Sequence, residues 1–304
     1  MLNQSKTQEF ISSYLENMKV INYIPLNKIN NTNETHTIIG IGGTNLYYGE
    51  VKNLKINREN ILPLPKSENF FKNIIDEGIN LKYIKENTKK INCIFSYPFK
   101  SIEKKSFFDG LYVKPKYMGK KIPFREQNFI LGDLLNKYTT QNISFNILND
   151  SVSTNLYNIY KNKGYDLYIS IISGTGVNFS YTKDQKVINS ELGKVKIVKN
   201  SITKKIVPIE SITSYQNIRI LSQKYNTDEK LLNRESAKII VSVILGIINN
   251  QDANKISIIA QGSFITKDTQ YFNMINKLLK ENLNKDFIFY KNNKADIKGA
   301  SLLW

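Results

Sequence analysis

An alternation of short apolar strands with amphipathic helices predicts an α/β protein of two βαβ-type halves hinged near Asp150. Three observations carry this prediction. Apolar β-type runs at residues 91–95, 145–148, 166–172 and 256–260 are separated by segments with helical spacing. Several of these runs stop on a glycine, hydroxyl or carboxylate residue, the strand-end position where open α/β sheets form ligand crevices. Finally, 304 residues with 41% hydrophobic content suffice for one or two domains with a sizeable interior.

Taken in order, residues 6–18 carry a helical stripe of Phe10, Ile11, Tyr14 and Leu15. Pro25 breaks the apolar segment that follows, and residues 30–35 read as a polar connector. Residues 37–51 read as two strands joined by the turn Gly42-Gly43-Thr44-Asn45. Glycines let backbone N–H groups approach an anion, so the turn either holds a phosphate or is an ordinary glycine hairpin. It is neither a P-loop nor the spaced dinucleotide fingerprint. Phe70, Phe71, Ile74, Ile75 and Ile79 predict a helix over 67–83 with Ser67 as its N-cap. A buried strand over 91–95 then ends at Ser96 before Pro98. Cys93 within it reads as a small core residue, because only one histidine exists to activate it.

Residues 109–117 predict a short extended piece and 119–123 a loop, with Phe129, Ile130, Leu134 and Leu135 on a further helix. The run Phe145-Asn146-Ile147-Leu148 stops at Asn149-Asp150, where a second helix begins. Asp150 there either caps the helix or takes a proton from a substrate hydroxyl, with Asn149 bonding the same substrate. The strand over 166–172 runs into Ser173-Gly174-Thr175-Gly176, a second glycine-threonine turn, while Glu191 and Glu210 are isolated acids in apolar or hydroxylic surroundings. Residues 236–248 form the most apolar helix. The strand over 256–260 ends in Gln261-Gly262-Ser263, and a strand over 286–290 precedes a turn at 298–301. No internal repeat is visible by sequence match.

Composition excludes several functions. One cysteine and one histidine, His36, leave no disulfide framework within the chain and no metal site needing two such ligands. No apolar run spans a bilayer and no signal-peptide core opens the chain, so a cytoplasmic protein without a membrane partner is expected. The net charge of +17 is spread over scattered lysines among many Asn and Ile. It favours anionic substrates such as nucleotide phosphates over a dedicated nucleic-acid stripe.

The order of these pieces resembles the hexokinase family, in the eukaryotic-type hexokinase and glucokinase branch of the actin-like ATPase superfamily. Ile41-Gly42-Gly43-Thr44-Asn45 is similar to its first phosphate motif, Phe95-Ser96-Tyr97-Pro98 to its sugar-binding sequence, and Leu148-Asn149-Asp150-Ser151-Val152 to the segment with its catalytic aspartate. Gly174-Thr175-Gly176-Val177-Asn178 resembles the second phosphate motif, and Glu191-Leu192-Gly193 and Glu210 with Ser214 the acids that grip sugar hydroxyls. Gly262-Ser263 and Lys298-Gly299-Ala300 resemble the adenosine-side turns. The likeness spans residues 8–303.

The resemblance implies a two-domain actin-like ATPase (ribonuclease H-like) fold with a cleft between a small domain, 37–147, and a large domain, 1–36 with 148–304. It implies transfer of phosphate from ATP, with Mg2+, to the 6-hydroxyl of glucose or a similar hexose. Asp150 would be the general base. Ser96, Asn149, Asn178, Glu191 and Glu210 would orient the sugar, together with Lys116, although the family's Thr-Lys-Gly-Phe stands here as Pro115-Lys116-Tyr117-Met118. Gly42, Gly43, Thr44, Asn45, Gly174, Thr175, Gly262 and Ser263 would face the nucleotide. Two departures bear on turnover: Gly40 stands where the family has an Asp that helps hold magnesium through water, and Tyr47 where it has Arg. Loss of an outer-shell metal partner typically costs about 10- to 100-fold, and loss of a general base about 10²- to 10⁴-fold. The chain also stops at Trp304 without the family's terminal helix, so differently sprung domain closure is expected. The alternatives are a catalytically impaired hexokinase-like protein that binds sugar or nucleotide, and a kinase for another acceptor such as an N-acetylated sugar.

Overall fold

The computed structural model describes residues 4–18, 22–30, 33–113, 122–200 and 202–303. The chain folds into two units. One comprises Met1–Val20, Lys161–Asp184 and Ile188–Asn293, the other Ile21–Tyr160, Gln185–Val187 and Lys294–Trp304.

The unit centred on residues 21–160 contains a five-stranded sheet in the order Lys55–Pro63, Asn45–Lys52, His36–Ile41, Lys90–Phe95, Ser144–Leu148. The first two pairings are antiparallel and the last two parallel. Strands 36–41, 90–95 and 144–148 are buried almost throughout, as expected of parallel strands covered on both faces, with Asn92 and Asn146 as polar members of the interior. One face packs Ile39, Ile41, Cys93, Phe95 and Ile147 against the Phe70–Asn80 helix and an aromatic group around Phe124. The other packs Ile38, Tyr47, Ile94 and Leu148 against Val152 and Leu156 of the Asp150–Lys161 helix and Ile297 and Ala300 of the Ala295–Ala300 helix. Lys55–Pro63 escapes sequence detection because it is a largely exposed edge strand without alternating burial of strong apolar residues.

Several local expectations change. Ser67 is not an N-cap: the helix begins at Phe70 after Asn69, and the Ser67 hydroxyl accepts instead from Asn73 Nδ2 at 2.7 Å. Phe129 and Ile130 belong to the strand Asn128–Ile130, paired with Phe108–Val113, and the helix is only Leu131–Asn136. Residues 298–301 are mostly the end of the Ala295–Ala300 helix, which presses Gly299 onto the Ser153 backbone. Both helices lie in the unit centred on residues 21–160, apart from Lys161 at the end of the first.

The other unit repeats the pattern without repeating the sequence. Leu167–Ser173 pairs antiparallel with Val177–Lys183 on one side and parallel with Lys255–Gln261, then Asp286–Lys291, on the other. His36–Ile41 has the same neighbours in Asn45–Lys52, Lys90–Phe95 and Ser144–Leu148. Helix Glu229–Asn249 is the apolar helix expected from residues 236–248. It buries Ile240, Ile244 and Ile247 and receives the Gln4–Asn17 helix, whose Ser12 hydroxyl donates to the Gly246 carbonyl at 2.9 Å. Among the described residues, no helix is long and apolar enough to cross a membrane.

Candidate active site

In the unit centred on residues 21–160, three parallel strand ends line up. Ile41 pairs with Phe95 and Ile94 with Leu148, so Gly42–Asn45, Ser96 and Asn149–Asp150 all leave the same edge of the sheet. The Gly42 N–H donates to the Asn45 carbonyl at 3.0 Å, and a Cβ on Gly42 would lie 3.0 Å from that oxygen. A glycine there lets the turn close and leaves Gly43 and Thr44 facing a cavity of about 640 Å³ bounded by segments 63–68 and 122–125. The Ser96 N–H donates to the Ile41 carbonyl at 3.1 Å and ties the neighbouring strand end to the turn.

The Asn149-Asp150 pair divides its labour. Asn149, 2% exposed, accepts the Ser151 N–H at 3.0 Å and the Ser151 hydroxyl at 2.7 Å through Oδ1, and its carbonyl accepts the Ser153 N–H at 2.9 Å. This is N-cap geometry, so Asn149 does the capping that the sequence left open to Asp150. Asp150 is the first helical residue and half-buried. Its Oδ1 accepts the Ser151 N–H at 2.8 Å, at a helix terminus whose dipole favours negative charge.

Gly40 and Tyr47 are register partners, and a Cβ on Gly40 would lie 3.2 Å from the Tyr47 Cβ. The Tyr47 hydroxyl donates to Glu59 Oε2 at 3.1 Å, the same oxygen that Lys294 Nζ reaches at 2.5 Å, while the Lys294 ammonium lies 5.3 Å from the Tyr47 ring centroid. Burial, then the Glu59 carboxylate, pushes the Tyr47 phenol well above its ordinary pKa, so it remains a neutral donor. Burial likewise raises the Cys93 thiol, which is an inert core group.

The other unit carries the remaining residues. Ile172 pairs with Gln261, so the Gly174–Gly176 and Gly262–Ser263 turns leave one sheet edge. Gly262 adopts φ +106°, and a side chain there would collide with the Ser173 backbone. A Cβ on Gly174 would lie 3.5 Å from the Ser263 hydroxyl and one on Gly176 3.3 Å from Glu210 Oε2, which places both turns and Glu210 in one cluster. The Gly174 carbonyl accepts the Tyr215 N–H at 3.2 Å, at the start of the helix Tyr215–Tyr225. Thr175 is exposed at the tip of its turn. The hydroxyls of Ser173 and Ser214 are buried in the same region and make no hydrogen bond among the described residues; Ser214 occupies an N-cap position without capping.

Asn178 and Glu191 are joined through a residue that sequence reasoning missed. Asn178 Nδ2 donates to Asn189 Oδ1 at 2.8 Å, and Asn189 Nδ2 donates to Glu191 Oε1 at 2.8 Å. Lys194 Nζ donates to Glu191 Oε2. The Glu191 backbone is left-handed (φ 49°), and Gly193 lets its turn dock on Val177. The signal for Asn189 was present, since it stands two residues before Glu191, but only the strand return brings it to Asn178. Lys116 lies outside the described residues.

No family model matches the sequence, and no curated protein sequence matches it. Solved structures do match. A hexokinase from Schistosoma mansoni complexed with glucose is 14% identical, covering 99% of this chain and 96% of that one, with a TM-score of 0.72. A ROK family glucokinase from Streptomyces griseus in complex with glucose and AMPPNP is 14% identical over 88% of this chain and 98% of that one, TM-score 0.64. A ROK family transcriptional regulator, described as a homologue of the E. coli MLC protein, is 14% identical over 90% of this chain and 78% of that one, TM-score 0.62. At such identities the likeness is one of fold: the chain has the two-domain α/β architecture of the actin-like ATPases, shared with hexokinases and ROK family proteins.

Proposed function

We propose that this protein is an ATP-dependent hexose kinase of the hexokinase type, cytoplasmic, transferring the γ-phosphoryl group to the 6-hydroxyl of glucose or a similar hexose. The observation that carries the reading is the shared sheet edge from which the Gly42–Asn45 turn, Ser96 and the Asn149-capped Asp150 all emerge. With the cap supplied by Asn149, Asp150 is suited to accept the 6-hydroxyl proton as that oxygen attacks the γ-phosphorus and the bond to ADP breaks. By the sequence resemblance, Ser96, Asn149, Asn178, Glu191, Glu210 and Lys116 would orient the sugar. The fold is shared alike with the Schistosoma hexokinase and the Streptomyces ROK glucokinase, so the hexokinase type rests on the sequence motifs and their order.

The residues fit a nucleotide. Glycines at 42, 174 and 262 keep the turns open to backbone approach, and the buried Ser173 and Ser214 hydroxyls are donors of the kind a phosphate oxygen needs. Gly43, Thr44, Asn45, Gly174, Thr175, Gly262 and Ser263 would contact ATP. Magnesium would come with the nucleotide, since it is commonly held by phosphates with few protein ligands. When bound, it supplies positive charge to the phosphates.

The test is sugar-dependent ADP release with magnesium-ATP and glucose, mannose, fructose or glucosamine. Asp150→Ala is expected to lower turnover by about 10²- to 10⁴-fold while sparing glucose binding by calorimetry. No sugar-dependent release from folded protein would overturn the kinase reading. A second reading, a catalytically impaired sugar- or nucleotide-binding regulator, is favoured by Gly40 and by the Tyr47 phenol tied to Glu59 where the resemblance expects Asp and Arg. Glucose binding without turnover would select it.

A further inference from the structure

The chain Asn178–Asn189–Glu191–Lys194 engages both oxygens of one carboxylate from one turn and its preceding strand. Asn189, 2% exposed, is held between two partners: its Oδ1 accepts from Asn178 Nδ2 and its Nδ2 donates to Glu191 Oε1, each at 2.8 Å. The Asn178 amide is oriented from its other end too, since its Oδ1 accepts the Phe179 N–H at 2.8 Å. Lys194, three residues after Glu191, places its ammonium on Glu191 Oε2, with 28% and 18% of the two side chains exposed. Tyr14, on the Gln4–Asn17 helix, has its phenol pushed up by burial and then by the Glu191 charge. None of these three neighbours supplies a second negative charge; the other acid of the region, Glu210, has its Cβ 3.7 Å from where a Gly193 Cβ would lie and is common to every Lys194 variant.

We infer that Asn189 is the positioning residue for Asn178 and Glu191, and that Lys194 makes this part of the site selective for a neutral hexose over a protonated amino sugar. The inference rests on Glu191 being a sugar-binding acid, as proposed above. A carboxylate gripping sugar hydroxyls attracts an ammonium substituent at least as well as a hydroxyl. A lysine already seated on that carboxylate neutralises it and repels a second cation, while the remaining lone pairs still accept from neutral hydroxyls. The two amide bonds from Asn189 fix where those lone pairs point, as second-layer partners fix ligands in other sites.

The experiment is calorimetric titration of the full chain with glucose and with glucosamine below the pKa of its amine. Wild-type protein is expected to favour glucose. Lys194→Met is expected to shift the ratio of the two dissociation constants toward glucosamine by about fivefold, the worth of roughly one partly exposed charge contact, and Lys194→Arg to restore the wild-type ratio. Asn189→Ala is expected to weaken both sugars together by about tenfold with the ratio unchanged. A ratio unmoved by Lys194→Met, in protein that still binds glucose, overturns the inference and leaves the kinase reading standing. Wild-type protein that binds neither sugar overturns both. Should Asn189→Ala fold poorly, the exposed-side Lys194 pair of variants decides the selectivity claim alone.

Discussion

Gly193 should be the least replaceable residue near Glu191, and Gly193→Ala tests the geometry of that turn. A Cβ at this position would overlap the Val177 carbonyl oxygen outright and lie 2.8 Å from the carbonyl carbon, with Glu210 Cβ at 3.7 Å. Both close atoms are backbone, so no side-chain rotation relieves the clash. Either the Leu192–Lys194 turn or the start of the Val177–Lys183 strand must retreat, by about 1.6 Å to regain ordinary contact. The 2.8 Å bonds through Asn189 cannot follow such a shift without breaking, because hydrogen bonds weaken steeply beyond ~3.5 Å. Overpacking of this kind typically costs about 1–3 kcal/mol, or several degrees in unfolding midpoint, and losing the Asn189 contact to Glu191 is expected to weaken glucose binding by about tenfold, as with Asn189→Ala. Circular dichroism melting and glucose calorimetry read the two effects separately. Gly164→Ala is the control: its Cβ would meet nothing within 4 Å, and only the positive φ of 87° opposes it, so a cost of about 1 kcal/mol with unchanged sugar affinity is expected. Gly193→Ala with wild-type melting and affinity would refute the proposed geometry.

Two further predictions concern the unit centred on residues 21–160. The hydrogen bond from Lys294 outweighs partial burial and holds the Glu59 carboxyl below its ordinary pKa. The associated stability is therefore present above the unfolded-state pKa and lost as pH falls through the lower folded value. With both side chains about a third exposed, it amounts to at most about 1 kcal/mol. Lys294→Met should flatten the acid limb of melting temperature against pH, and an unchanged limb would show that the clamp contributes nothing there. Asp109 is the opposite case: burial raises its pKa although the Gly132 and Gly110 N–H groups donate to its Oδ1 at 2.9 and 2.7 Å. Its contribution is fullest below the unfolded pKa and declines as pH rises through the folded one. Asp109→Asn retains the accepting oxygen and removes the buried charge, so at pH 7 it should be at least as stable as the parent. A loss above about 1 kcal/mol by urea unfolding would show that the charge itself is needed.

The sequence by itself determined the class of fold and most of the elements, because long apolar runs and helical stripes are local signals. The strands ending at Ile41, Phe95, Leu148 and Ser173 and the Glu229–Asn249 helix are visible in that way. So were the turns at 42–45, 174–176 and 262–263, since glycine directly after an apolar run marks the point where a strand stops and the backbone bends. Tertiary structure alone decided how these pieces share edges. The repeated neighbour pattern of His36–Ile41 and Leu167–Ser173 leaves no trace in residue identity, because strand pairing depends on backbone and register while the buried faces accept many apolar side chains. The transfer of the helix cap from Asp150 to Asn149, and the union of Asn178 with Glu191 through Asn189, are likewise invisible along the chain. They are settled by side-chain hydrogen bonds a few ångströms long, whose partners only the folded backbone brings within reach.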